Sequence, residues 1–208
     1  MAIDLGPVRL TNPIVAASGT FGHGAEVAHL CDPRGLGAVT VKSVAAFAWS
    51  GNPPLRVTEA PGGGMLNSVG LPGPGIDAWI EHDLPALEAT GARVIASIWG
   101  RTTDEYAAAA RPLKAVAHRL LALEVNLSCP NVEARGNVFA HSEDATRNAM
   151  RVVVESVGDS VPTFATPNHG AISRARLNAS GRLGTSSAIA SRSRAASASP
   201  SVAVGLFI

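Results

Sequence analysis

The octapeptide Glu124-Val-Asn-Leu-Ser-Cys-Pro-Asn131 places a thiol between two carboxamides. Asn126 and Asn131 can each donate and accept hydrogen bonds, and Cys129 is titratable. Such a set suits a reaction in which side-chain amides hold a planar, amide-rich substrate while a nearby base takes a proton from carbon. A buried strand running into a Cys-Pro-Asn turn would read the same way. Thr40-Val-Lys-Ser43 closes an apolar run with a lysine. An unpaired buried ammonium is costly, so Lys42 either snorkels to solvent or faces an electron-rich ring and offsets charge that develops there. The third stretch, Pro61 to Gly75, holds six glycines and reads as a loop whose backbone comes close to a partner. No Lys-Ser/Thr pair follows it, so a phosphate loop is not indicated. It is either a substrate-facing loop presenting Asn67 and Ser68 or a plain surface loop.

These residues need elements that bring them together. Residues 1–20 read as a hairpin turning at Asn12-Pro13, and Glu26 to Cys31 as a short helix. Strands are expected at 37–42, 93–98, 122–127 and 161–165, with helices at 75–90, 103–120 and 142–157. Strands alternating with helices imply a parallel sheet covered by helices. Lys42, Ser97 and Asn126 each fall at the C-terminal end of a different strand, where barrel enzymes assemble their sites. No glycine-rich dinucleotide fingerprint follows a strand, which favours a (β/α)8 barrel over an open doubly wound sheet.

Bulk properties narrow the function. A net charge of +1 gives no field for nucleic acid. No apolar run of about 18 residues occurs, and the start lacks a signal-peptide layout, so a cytoplasmic protein with no membrane segment is expected. Cys31 and Cys129 have no CxxC or histidine-spaced partner, so no metal site is expected. Cys31 reads as packing or surface. Two regions emerge, 1–165 and 166–208. The second has no Asp or Glu and is rich in Ser, Ala and Arg. Without an apolar face it is expected to be disordered, and its five arginines without interleaved aromatics argue weakly for a nucleic-acid arm.

Five motifs in order, Asn12-Pro-Ile-Val-Ala-Ala-Ser-Gly19, Val41-Lys-Ser43, Gly51-Asn-Pro-Pro-Leu-Arg56, Asn67-Ser-Val-Gly-Leu71 and Asn126-Leu-Ser-Cys-Pro-Asn131, resemble class 1 dihydroorotate dehydrogenase. The details are most like the NAD-linked class 1B catalytic subunit, and the likeness runs from about residue 3 to about residue 165. The resemblance implies an FMN-dependent barrel of pyrimidine biosynthesis that oxidises dihydroorotate to orotate, with Cys129 as base. It assigns Lys42, Asn67, Ser68, Val69, Gly70, Leu71, Asn126 and Asn131 to the substrate. It assigns Ser18, Lys42, Ser43, Ser97 and Asn126 to the flavin. It further implies a homodimer and a partner subunit that carries FAD and an iron–sulfur cluster for electron transfer.

One departure stands out. The family carries a Phe-Ala-Lys-Leu type run on its fifth strand, where this chain has Phe164-Ala165-Thr166-Pro167. A full barrel takes about 250 residues, so an incomplete barrel of about five of its eight βα units is expected here, with a frameshift or deletion near residue 165. On that reading the chain as written binds FMN weakly or not at all and does not turn over. The alternatives are a dihydropyrimidine dehydrogenase-like flavin barrel, which shares Asn-Leu-Ser-Cys-Pro but usually continues with histidine where this chain has Asn131, and a non-catalytic fragment.

Overall fold

In a computed structural model of the chain, residues 2–60, 62–128 and 139–166 are described. Cys129, Asn131 and the tail expected over 166–208, apart from Thr166, therefore lie outside the described residues, and Thr166 itself ends a strand. Five strands form one parallel sheet: β3 (Val15–Ala16), β4 (Ala38–Thr40), β7 (Val94–Ile98), β8 (Ala122–Asn126) and β9 (Thr163–Thr166), in that spatial order. Spatial order equals sequence order throughout. An open doubly wound sheet must reverse its order at a switch point, and no reversal occurs among these strands. With right-handed crossovers, every connection then lies on the same face, which is the wall of a (β/α)8 barrel.

The two faces of that wall confirm the winding. Side chains alternate along a strand, and Val39, Val94, Ala96, Ile98, Leu123 and Val125 point to the helix side, where they pack with Trp79, Leu84, Leu87, Leu113 and Val153. Ala38, Ile95 and Ala122 point the other way, onto Val8 and Leu10. The latter two belong to a separate antiparallel hairpin, β1 (Ile3–Leu5) and β2 (Val8–Leu10), which closes the bottom of the barrel interior. Its turn is Gly6-Pro7, since Leu5 pairs with Val8. The expected turn at Asn12-Pro13 is instead the link into β3: the Asn12 carboxamide accepts from the Ile14 N–H at 2.9 Å and donates to the Gly35 carbonyl at 2.9 Å.

The helices start and break for local reasons. Residues 76–89 wind as α1 (Ile76–Ala78), a π-helical turn (Trp79–Asp83) and α2 (Leu84–Ala89). Pro85 has no N–H and its ring would press on the carbonyl four residues back; the widened turn, closed by the Leu84 N–H on the Trp79 carbonyl, accommodates it. Thr102 caps α3 (Thr103–Ala110) by accepting the Glu105 N–H at 3.2 Å. The α-helix ends there and not at residue 120, because Pro112 turns the continuation into 3-10 segments, Arg111–Lys114 and Ala117–Arg119. Ser142 caps α4 (Glu143–Val157), with Glu143 and Asp144 in the first turn. Ala149, Met150, Val153 and Val157 form its buried face. The helix expected at 26–31 is a run of turns, such as Leu30 N–H to Val27 O at 2.9 Å. Six residues ahead of Pro33 are too few to sustain a helix against its nucleation cost. No helix among the described residues is long and apolar enough to cross a membrane.

A third sheet was not foreseen. β5 (Val57–Ala60) and β6 (Gly64–Asn67) pair antiparallel, so part of the glycine-rich stretch read as loop is a strand. The remainder is irregular and is pinned by its neighbours: Asn52 Nδ2 donates to the Ser68 carbonyl and Oγ at 2.9 and 3.0 Å, and Trp49 Nε1 donates to the Gly70 carbonyl at 2.7 Å. Glycine is required where these chains meet. A Cβ at Gly51 would sit 2.4 Å from the Val69 carbonyl, and one at Gly70 would sit 2.8 Å from the Asn52 amide.

Candidate active site

The inner face of the barrel wall changes character along its strands. Its lower layer is apolar (Ala38, Ile95, Ala122). One step further along the same strands come Thr40, Ser97 and Glu124, all buried, and then Asn126, which pairs in register with Thr166. At this C-terminal end the side chains form one hydrogen-bonded series. Ser18, just past β3, donates to the Val41 carbonyl at 2.8 Å and lies 3.3 Å from Ser43 Oγ. Ser43, just past β4, is 2.8 Å from Ser97 Oγ, and Ser97 donates to Glu124 Oε1 at 2.7 Å. Asn126 Nδ2 donates to Ser43 Oγ at 2.9 Å. Thus Ser18, Ser43, Ser97 and Asn126, contributed by four adjacent strands, meet in one cluster.

The strand end is itself braced. Tyr106 of α3 donates its hydroxyl to the Asn126 carbonyl at 2.6 Å, and Asn126 Oδ1 accepts from the Ser128 N–H at 3.2 Å. Both ends of the Asn126 amide are thereby committed, which fixes its orientation.

Sequence reasoning quoted Glu124 but assigned it no role. Burial raises its carboxyl to about 7, against the lesser opposing pull of the Ser97 hydroxyl. Its signal was available: an acid between Leu123 and Val125 in a buried strand, two residues before Asn126, shares that residue's face.

Lys42 lies two residues past the end of β4, not within it. It is half-buried, and no acid among the described residues forms an ion pair with it. Burial and then the Arg56 guanidinium lower its pKa, while Glu26 opposes them. Burial and Lys42 likewise lower His23, against Glu26 and Asp83. Burial pushes the Glu26 carboxyl up, but the backbone N–H groups of Glu26, His23 and Gly24 outweigh it and hold the group below its usual range. Arg56, Glu26 and His23 are thus an electrostatic surround for Lys42 that the sequence did not reveal, because 14 to 19 residues separate them from it in the chain.

Asn67 closes β6, and Ser68, Val69, Gly70 and Leu71 follow it. Asn67 and Ser68 are exposed, and the hydrogen bonds of Ser68 and Gly70 run to Asn52, Arg56 and Trp49. These bonds tie the segment to residues 49–56. Near Trp49, the Arg101 guanidinium stands 4.6 Å over Phe47 and 5.5 Å over Trp49, a further group that sequence reading missed. Cys31 is exposed with a free thiol.

The family model described as Dihydroorotate dehydrogenase matches residues 2–186. The chain belongs to the dihydroorotate dehydrogenase family. Among curated relatives, the "Dihydroorotate dehydrogenase B (NAD(+)), catalytic subunit" of Desulforudis audaxviator is 42% identical over 180 residues, covering 86% of this chain and 58% of that protein. The proteins of the same name from Alkaliphilus metalliredigens and Geobacter sp. (strain M21) are 40% and 38% identical over 168 residues, covering 81% of this chain and 55% and 54% of theirs. The chain spans about half the length of the curated relatives it matches. Its barrel wall, with the polar layer at the strand ends, is the part of the dihydroorotate dehydrogenase fold that the described residues supply.

Proposed function

We propose that this chain carries the flavin- and substrate-facing wall of an FMN-dependent dihydroorotate dehydrogenase of the NAD-linked type. The observation that supports this most is convergence: Ser18, Ser43, Ser97 and Asn126, named for the flavin by resemblance alone, hydrogen-bond to one another at the ends of four adjacent strands. The residues present fit the pyrimidine edge of a flavin ring. Hydroxyl and carboxamide groups can match its alternating donors and acceptors, and Lys42, half-buried without an acid in ion-pair contact among the described residues, suits a ring that gains electrons. When bound, FMN would supply the acceptor for the hydride that dihydroorotate loses from C6.

The chain's own part is to hold the substrate and take the C5 proton. Cys129 is the base, and Asn67, Asn126 and Asn131, with the 68–71 segment, hold the substrate. A free thiol has a pKa of about 8.5, so only a small thiolate fraction exists at neutral pH unless a cation favours it. Lys42 is the candidate for that cation. A partner electron-transfer subunit with FAD and an iron–sulfur cluster, a homodimer and a cytoplasmic setting belong to the same reading, of which the relatives' printed name, a catalytic subunit, supports the partner subunit.

The test is a chimera joining residues 1–165 to the C-terminal half of the Desulforudis relative. We expect it to purify with FMN and to oxidise dihydroorotate, and Cys129→Ala to lower the rate by roughly 10²–10⁴-fold. An undiminished rate in that variant overturns the base assignment, and a colourless chimera that takes up no FMN overturns the flavin reading.

A further inference from the structure

Among the buried polar groups of the described residues, one acid has no role in the reading above. Glu124 is 7% exposed, and its carboxyl ends the series Asn126–Ser43–Ser97–Glu124. The proton count of that series is restrictive. Ser18 spends its one hydroxyl proton on the Val41 carbonyl, so toward Ser43 it can only accept. Asn126 donates to Ser43, with its oxygen held by Ser128. Ser43 therefore has one proton and two acceptors within reach, Ser97 Oγ at 2.8 Å and Ser18 Oγ at 3.3 Å.

The state of Glu124 decides between them. An ionised carboxylate only accepts, so Ser97 must donate to it, which leaves the Ser97 oxygen to receive the Ser43 proton. A protonated Glu124 can donate to Ser97 instead. Ser97 then donates to Ser43, and the Ser43 proton turns toward Ser18 Oγ. In the ionised arrangement no proton lies between Ser18 Oγ and Ser43 Oγ, 3.3 Å apart, and in the protonated arrangement the Ser43 proton fills that gap. We propose that Glu124 is a positioning residue: its protonation sets the direction of the Ser97–Ser43 hydroxyl relay, and with it whether the part-exposed Ser18 oxygen at the strand end is free to accept from a bound ring or already accepts from Ser43.

The surroundings leave Glu124 free to act as this control. β7 faces it with Ser97 and β9 with Phe164, its register partners, and the layer below holds Val8, Leu10, Ile95 and Ala122. Burial raises it to near neutrality against the opposing pull of Ser97, and no charged side chain among the described residues contributes to the shift. Small shifts in environment therefore move it across working pH. The inference rests on the flavin reading only for the identity of the ring.

The experiment follows the side-chain NH₂ resonances of Asn126 in the 15N-labelled chain from pH 5 to 9, assigned by their loss in Asn126→Ala. Wild type should show one transition near neutral pH. Glu124→Gln, which cannot ionise, and Ser97→Ala, which cuts the relay while keeping the acid, should be flat. A flat wild type, or an unchanged transition in Ser97→Ala, overturns the proposal even if Glu124→Gln does not fold. FMN affinity of the chimera, read by fluorescence quenching over the same range, should change several-fold in wild type and stay constant in Glu124→Gln. FMN binding that is pH-independent in wild type overturns the relay's role and leaves the flavin reading intact. A titrating Asn126 without any FMN binding sustains the relay and removes the flavin.

Discussion

The parallel wall and the β5–β6 hairpin are both β-structure, yet they exist for different reasons. Every residue of β7 is buried, and β8 is buried up to Asn126, because helices cover one face and the hairpin β1–β2 fills the other. In β5 and β6 seven of the eight residues are exposed, Met65 and Leu66 to about 60% each. The wall is held by burial, roughly 25 cal/mol per Å² of apolar surface, and can therefore carry buried polar groups at a cost the core absorbs. The hairpin is held by its own ladder and by contacts with residues 49–56 through the segment that follows it, and it presents Asn67 outward. Rigid positioning and accessible contact are thus divided between two pieces of chain.

Substitutions can break this contrast. Leu123 is fully buried on the helix side of β8, and Leu123→Ala should lower unfolding free energy by about 2–5 kcal/mol in urea titration. A loss of under about 1 kcal/mol would mean that the wall is not the core.

The second effect concerns the polar layer of the same strand. The Glu124 carboxyl has an ordinary value of 4.5 and lies at about 7 when folded. The folded state then holds the proton more tightly than the unfolded one. The resulting stabilisation is complete below 4.5 and is lost as pH rises through about 7. Wild type should be less stable at pH 8.5 than at pH 4.5 by something on the order of 2–3 kcal/mol relative to Glu124→Gln. Parallel pH curves for the two proteins would refute the shift.

Smaller effects sharpen the comparison. Ser142→Ala removes the cap that accepts the Ala145 N–H at 3.3 Å, and should cost about 1 kcal/mol in the helix layer. Leu66→Ser in the hairpin should change stability by no more than about 0.5 kcal/mol. A larger loss there would show that the hairpin is packed against something.

Much of this was legible in the chain. Alternating buried runs such as Val-Ile-Ala-Ser-Ile and the 3.6-residue pattern of α4 located the barrel elements, because local periodicity reports which face is covered. The helix expected at 75–90 kept its ends within a residue, with only its winding changed ahead of Pro85, whereas the one expected at 103–120 broke where Pro112 follows α3. The hairpin β5–β6 escaped because its residues are exposed on both faces, so no alternation marks it. In the candidate site, the types and strand-end positions of Ser43, Ser97 and Asn126 were readable, since strand ends are where a parallel wall gathers side chains.

By itself the sequence determined the order of the parallel strands and the helices between them from residue 37 onward, the family, and which residue types stand at the strand ends. Those follow from short-range pattern and from motifs that each occupy a few consecutive positions. Only the tertiary structure decided that Ser18, Ser43, Ser97, Glu124 and Asn126 share one hydrogen-bonded series, and that Glu124 holds its proton near neutrality. Both depend on groups separated by up to 108 positions, whose dielectric surroundings and hydrogen-bond partners exist only once the sheet has assembled.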